Sequence, residues 1–132
     1  MKLLVTIDDI LTYLHSTTIA IASDATIYTK SWEWGTGEDF SLDYIATSDG
    51  TVGLKIELEQ GNTLPGTEGS SDDGWAVAEN AQDIESALAD EVQHFKKLSP
   101  PLSKYGRLKI TGSAGNHSST TLRAKLARQE EI

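Results

Sequence analysis

Alternating apolar and polar residues between Val52 and Glu59 form the clearest periodic pattern in the chain. The apolar side chains share one parity and the charged ones the other, as in a β-strand with one buried and one solvated face. Residues 40–46 alternate in the same way, and Ser48-Asp49-Gly50 between the two segments is typical of a tight turn. The two segments therefore predict a β-hairpin.

The C-terminal third repeats this pattern. Residues 105–111 and 120–126 each alternate, and the Gly- and Ser-rich segment 112–116 between them is typical of a turn. We therefore expect a second hairpin, whose outward face is basic and carries Arg107, Lys109, Arg123 and Lys125. The inward residues of both hairpins are expected to share one core: Leu54, Ile56, Leu58, Leu108, Ile110, Leu122 and Leu126.

Further strands are expected at residues 17–22, 26–34 and 74–78. Roughly five to eight short strands with frequent turns predict an all-β fold, an antiparallel β-sandwich or jelly roll, in a single domain. We place this sandwich in residues 24–132. The spacing of Ile7, Ile10, Leu11 and Leu14 instead favours a short N-terminal helix or an ordered arm over residues 1–23.

Residues 84–98 permit two interpretations. The apolar residues from Ile84 to Leu98 follow a helical spacing, which Pro100-Pro101 would end. The same stretch also fits a turn followed by a strand over residues 91–98.

The composition excludes several classes of protein. The 132 residues include no cysteine, so neither disulfides nor thiolate metal sites are available, which fits a reducing cytoplasm or a particle assembled in one. The initial apolar run ends at Thr6, too early for a signal peptide, and no stretch has the ~20 apolar residues of a membrane span. We expect no membrane association.

The charges are divided unevenly along the chain. The net charge is −9, but residues 1–91 hold 18 acids and three bases, whereas residues 92–129 hold eight bases and no acid. The favoured explanation is that basic strands pair with acidic ones within one sheet, because opposite charges across strands stabilise sheets. Part of this complementarity is expected between subunits or against another protein. Nucleic-acid binding is not expected, since no recognised motif accompanies the basic strands.

Motifs of known catalytic, nucleotide-binding or metal-binding sites are absent from the sequence. The histidines, His15, His94 and His117, lack the spacing of shared metal ligands. The acidic loop residues Glu68, Asp72 and Asp73 suit a hard cation such as calcium, although a solvated loop is favoured. We expect no catalytic residue, no cofactor and no metal.

Trp32 and Trp34 fall on one face of a predicted strand. Exposed, they would stack on a sugar or a base; buried, they would cover the core or a subunit contact, which is the favoured interpretation. With Arg107, Lys109, Arg123 and Lys125 they are the predicted interface residues. A lectin-like protein would expose these tryptophans, or Trp75, beside polar loops.

The order of segments along the chain resembles that of small β-sandwich virion proteins of tailed bacteriophages, of the capsid decoration or cement type. The resemblance covers residues 26–128 and is carried by the following segments: Phe40–Gln60, Asp73-Gly74-Trp75, Glu91–Phe95, Pro100-Pro101, Tyr105–Gly112, Gly115-Asn116 and Thr120-Thr121. It implies a jelly-roll-like fold, a strand over residues 91–98 and a homo-oligomer, with a trimer favoured. It also implies attachment to the major capsid protein on the exterior of the virion, after synthesis in the host cytoplasm.

Two other functions stay open. One is a carbohydrate- or receptor-binding β-sandwich module, for example a tail-associated one. The other is a small enzyme on a sandwich scaffold, which would need histidines and carboxylates clustered in one pocket.

Overall fold

The computed structural model describes residues 3–8, 10, 18–22, 24–35, 39–48, 53–71, 74–78, 83–88, 92–112 and 119–131. These residues form eleven strands: β1 (Leu3–Asp8), β2 (Thr18–Ala22), β3 (Thr26–Tyr28), β4 (Trp32–Glu33), β5 (Asp39–Ser48), β6 (Leu54–Gly61), β7 (Trp75–Val77), β8 (Asp83–Leu88), β9 (His94–Leu98), β10 (Tyr105–Gly112) and β11 (Ser119–Glu131). Within the described ranges the secondary structure is entirely β. None of these ranges contains a helix long and apolar enough to cross a membrane.

The strands form two antiparallel sheets. Sheet A has the order β1-β11-β5-β9, with β2 also paired to β11. Sheet B has the order β3-β10-β6-β7, with β4 paired to β10 and β8 paired to β6. The two sheets pack into a sandwich, which confirms the predicted fold class.

The strand positions confirm the alternation, but both predicted hairpins are wrong. β5 does not pair with β6; it pairs with β11, where Leu42 lies opposite Leu126. β6 pairs instead with β10, where Leu58 lies opposite Leu108. Each predicted hairpin is therefore divided between the two sheets, with β5 and β11 in sheet A and β6 and β10 in sheet B.

The core lies between the inner faces of the two sheets. All seven residues predicted for it are buried. Residues of both sheets complete the same cluster, among them Phe40, Tyr44, Ile84 and Leu98. The period-two pattern thus identified the inward face of each long strand correctly, although it did not identify the partner strands.

The N-terminal segment contributes to sheet A. β1 pairs with β11 from Leu3 opposite Glu131 to Asp8 opposite Leu126. β2 pairs with β11 at its other end. A helix is therefore the wrong expectation for residues 3–8, and these two strands are part of the sandwich rather than of a separate arm. Residues 11–17 lie outside the described residues.

Residues 84–98 resolve in favour of strands. β9 confirms the strand alternative over His94–Leu98, and β8 adds a second strand in the other sheet. The predicted strands at residues 17–22, 26–34 and 74–78 correspond to β2, to β3 with β4, and to β7.

Candidate functional site

Arg107 lies on the outer side of sheet B but is almost completely buried, with 1% of its surface exposed. Its Nε donates a hydrogen bond to Glu59 Oε1 at 2.9 Å, and its Nη1 donates to the Ser70 carbonyl oxygen at 2.7 Å. Glu59 lies directly opposite on β6 and is also buried. The prediction that Arg107 is a surface interface residue is therefore wrong, because a loop of the same chain covers it.

Two aromatic rings enclose the Arg107 guanidinium. Its central carbon lies 4.2 Å from the Tyr28 ring centroid and 4.5 Å from that of Trp75. Both distances are within the range of cation–π attraction, which strengthens when water is excluded. We call Tyr28, Glu59, Trp75 and Arg107 the Arg107 cluster.

Gly61 is required for this arrangement. It lies opposite Trp75 in the β6–β7 ladder. A Cβ atom at Gly61 would stand 2.7 Å from the Trp75 ring, a distance that non-bonded carbon atoms do not adopt. The absence of a side chain therefore lets the indole lie flat on β6 and reach Arg107.

The loop of residues 62–71 is fastened to sheet B at two points. The first is the bond from Arg107 to Ser70. The second is Glu68, whose carboxylate accepts hydrogen bonds from the Ser31 amide at 2.9 Å and the Ser31 hydroxyl at 2.5 Å. Within the loop, the Ser70 amide and hydroxyl both donate to the Thr67 carbonyl oxygen. The loop is thus held across the outer side of sheet B.

The hydrogen bonds between Ser31 and Glu68 involve one of the three acidic residues considered above as cation ligands. Both carboxylate oxygens of Glu68 accept protein donors, so this side chain serves the loop anchor. Asp72 and Asp73 lie outside the described residues. In the described part of the chain, no three His, Cys, Asp or Glu residues are grouped as metal ligands.

Trp32 and Trp34 lie in the core of the sandwich, with 6% and 3% of their surfaces exposed. Their rings meet edge to face at 5.5 Å, and Trp34 meets Phe40 edge to face at 4.8 Å. A Cβ atom at Gly106 would stand 2.5 Å from Trp34, so a glycine is needed there too. The favoured core interpretation is confirmed. Their assignment to a subunit interface is wrong, since the same chain buries them.

Lys109 lies on the outer side of sheet B and is half-buried. It stands opposite Glu57 on β6 and opposite Tyr28 on β3. Two residues earlier on β10, Arg107 likewise stands opposite an acidic residue of β6, Glu59. The expected pairing of basic with acidic strands inside one sheet is confirmed for β10 and β6.

Arg123 and Lys125 lie on the outer side of the other sheet, sheet A. Arg123 is exposed and stands opposite Ile45, and half-buried Lys125 stands opposite Asp43. The six predicted interface residues therefore do not form one surface. Two are in the core, two are on the outer side of sheet B and two are on the outer side of sheet A.

The outer side of sheet A also carries Phe95, which the sequence reasoning missed. Phe95 is 74% exposed and stands opposite Asp43 in the β5–β9 ladder. A usable signal was present: in a strand, residues three apart point to opposite faces, so burial of Leu98 implies exposure of Phe95. We call the outward residues of β5, β9 and β11 the open face. Its described side chains are Ser41, Asp43, Ile45, Thr47, Phe95, Lys97, Thr121, Arg123, Lys125 and Ala127.

Two exposed leucines mark one end of the sandwich. Leu64 and Leu102 are 51% and 100% exposed, in the loops that follow β6 and precede β10. The Lys104 amide donates to Asn62 Oδ1 at 2.9 Å and joins the two loops. Within the preceding turn, the Ser103 amide donates to the Pro101 carbonyl oxygen. These apolar tips are therefore carried on fixed loops.

A polar contact joins the two sheets through the core. The Tyr44 hydroxyl donates to Glu85 Oε1 at 2.6 Å, which links β5 of sheet A to β8 of sheet B. The imidazole of His94 stacks on the Tyr44 ring at 5.3 Å. His94 is thus placed as a packing residue, while His15 and His117 lie outside the described residues.

Comparison with known proteins gives a likeness of fold. No family model and no curated protein matches the chain. Among solved structures, the VP2 subviral particle of infectious bursal disease virus aligns with a TM-score of 0.54 and 13% identity, over 97% of this chain and 32% of that one. The VP2 of the Gx strain gives 0.47 and 11%, over 98% of this chain and 33% of that one. The Yersinia pseudotuberculosis-derived mitogen gives 0.46 and 12%, over 96% and 85% of the two chains.

This chain therefore spans about a third of the length of the VP2 chains it matches. At such low identity the likeness extends to the fold and no further. The chain has an antiparallel β-sandwich of a kind that also occurs in a viral particle protein.

Proposed function

We propose that the protein is a structural component of a bacteriophage virion, a decoration or cement protein that binds the major capsid protein on the outside of the shell. The order of segments over residues 26–128 supports this proposal, because it resembles that of such proteins. The sandwich fold is compatible with it, since the same architecture occurs in a viral particle protein.

The observation that carries the assembly part of the proposal is the contrast between the two outer surfaces of the sandwich. On sheet B, the chain's own loop covers the Arg107 cluster. On sheet A, the open face exposes Phe95 to water and also carries the cationic Arg123 and Lys125. Aromatic and Arg side chains are enriched at protein interfaces.

A decoration protein also needs a stiff body, since it reinforces a shell by bridging it. The anchors at Ser31 and Arg107 hold the long loop of sheet B. The bond between Lys104 and Asn62 holds the end loops together. Little ordering entropy would then be lost on docking, which favours affinity.

The proposed function also has consequences for chemistry, oligomeric state and place of synthesis. The protein carries out no reaction and needs no cofactor. It assembles as a homo-oligomer, with a trimer favoured, and is made in the host cytoplasm before it joins the virion. The carbohydrate-binding alternative loses its main support, because Trp32 and Trp34 are in the core and Trp75 lies against Arg107.

The test is binding to shells that lack this protein. Purified protein is mixed with expanded capsids of the parent phage and with unexpanded precursor shells, and bound protein is measured after sedimentation. We expect saturable binding to capsids and a higher temperature of capsid disruption. A protein that does not co-sediment, or that leaves the disruption temperature unchanged at saturation, would contradict the proposal.

A further inference from the structure

The open face combines exposed apolar surface with an excess of positive charge. Phe95, Ile45 and Ala127 supply apolar surface on neighbouring strands. Among the described side chains of this face, the charged ones are Asp43, Lys97, Arg123 and Lys125. Three bases and one acid give the described part of the face a net charge of +2.

The rest of the chain has the opposite sign. Subtracting these three bases and one acid from the 11 bases and 20 acids leaves eight bases and 19 acids, a net charge of −11. On the outer side of sheet B, Arg107 forms a salt bridge with Glu59 at 2.9 Å, and Lys55 lies 3.8 Å from Glu57.

From this charge distribution we infer that the open face binds an acidic surface of a second copy of this chain. Phe95 on the edge strand β9 would supply the apolar contact, and Arg123 and Lys125 on β11, across β5 from it, would supply the charged one. A two-fold contact between two open faces is disfavoured, because it would bring the Arg123 and Lys125 cations of both copies together. The contact is therefore heterologous, and it closes into a ring if the rotation allows.

This inference deepens the oligomer of the proposed function and rests on that part of it alone. It does not depend on attachment to a capsid, so the two fail separately. The purified chain without any shell is sufficient for the test.

The experiment is sedimentation velocity of the full chain over a range of concentrations, at low and at high salt. The wild type is expected to associate with rising concentration, and less so at high salt, because salt screens exposed charges. Phe95→Ser and Arg123→Glu are each expected to raise the dissociation constant about tenfold or more, because aromatic and Arg side chains are the types that most often anchor an interface. Lys125 is left unchanged, since an acid there would face Asp43 and weaken the sheet.

Leu102→Ser is the matched control, because it removes another large exposed apolar side chain at the end of the sandwich, away from the open face. It is expected to associate as the wild type does. Thermal unfolding of each variant shows whether the fold is retained. A wild type that stays monomeric at every concentration would overturn the inference. So would folded Phe95→Ser and Arg123→Glu variants that associate normally.

A mixing experiment separates the heterologous contact from a two-fold one. Labelled Arg123→Glu protein keeps its acidic surface, so it should still bind the open face of an unlabelled wild-type copy. Mixed oligomers are therefore expected at concentrations where the variant alone is monomeric. If the variant does not bind the wild type, the heterologous arrangement is wrong.

Discussion

Arg107 carries a positive charge in a position where almost none of its side chain meets water. It is stable there because a carboxylate, a carbonyl oxygen and two ring faces replace the lost solvent. A buried ion pair adds little to stability over an apolar pair of similar volume, but removal of one partner is costly. Arg107 and Glu59 therefore depend on each other.

We predict that Arg107→Met lowers the free energy of unfolding by about 3–5 kcal/mol, because Glu59 is left buried without its counter-charge. Urea denaturation of the variant and the wild type measures the difference. The control is Arg107→Met combined with Glu59→Met, which should recover most of the loss. A single variant as stable as the wild type would show that water reaches Glu59 freely.

At the centre of the core, Ile56 is completely buried between the sheets. We predict that Ile56→Ala costs about 2–5 kcal/mol of stability, since it removes apolar contacts and leaves a cavity. Leu102→Ala, at a fully exposed position, should change stability by less than about 0.5 kcal/mol. Equal effects of the two substitutions in urea denaturation would contradict the described packing.

At the scale of elements, the sequence predicted which residues point inward but not which strands pair. Alternation along β5, β6, β10 and β11 depends only on whether each residue faces the core or the solvent. Partner choice depends on the path of the chain between layers. A short turn between two alternating strands is compatible with a hairpin and with a crossing from one sheet to the other, and here the crossing occurs.

The segment of residues 84–98 shows a related limit. Its apolar residues have a helical spacing. However, Ile84 enters the core from β8 of sheet B, and Leu98 enters it from β9 of sheet A. Two short strands in different layers produced a spacing that resembles one helix face. The spacing of apolar residues alone does not show that the segment is divided between two strands.

The loop anchor at Glu68 gives a prediction for this element. We expect Glu68→Ala to speed hydrogen exchange of the Ser31 amide by about tenfold or more, because a hydrogen bond to a charged acceptor contributes ~1.5–3 kcal/mol. Thr67→Ala is the control, since Thr67 accepts loop bonds through its backbone carbonyl. Unchanged exchange at Ser31 in the Glu68 variant would mean that the loop is not held by this contact.

At the scale of the whole molecule, the pairing of distant segments governs how the chain folds. Thr29 and Leu108 are joined by hydrogen bonds although they lie 79 positions apart. Each such pairing must close a long loop before its contacts form. We predict folding on the order of milliseconds to seconds, as in other sandwiches with non-local contacts. Stopped-flow refolding measures this rate, and folding in microseconds would contradict it.

The candidate site was predictable only in part. Arg123 and Lys125 follow from strand alternation in a single strand and lie on the open face as expected. Arg107 also points outward as the alternation predicts, but a loop from another part of the chain buries it. The alternation of residues along a strand does not show whether a distant loop will cover its outer side. Phe95 required a strand assignment in a segment whose spacing favoured a helix.

The central claim is that this sandwich decorates the outside of a capsid shell. The most direct measurement is an electron cryo-microscopy reconstruction of shells incubated with the purified protein. The account predicts ordered density of the size of one sandwich per subunit, grouped on the outer surface, with the open face turned toward a neighbouring copy. Shells that carry no such density, or that hold the protein inside, would contradict it.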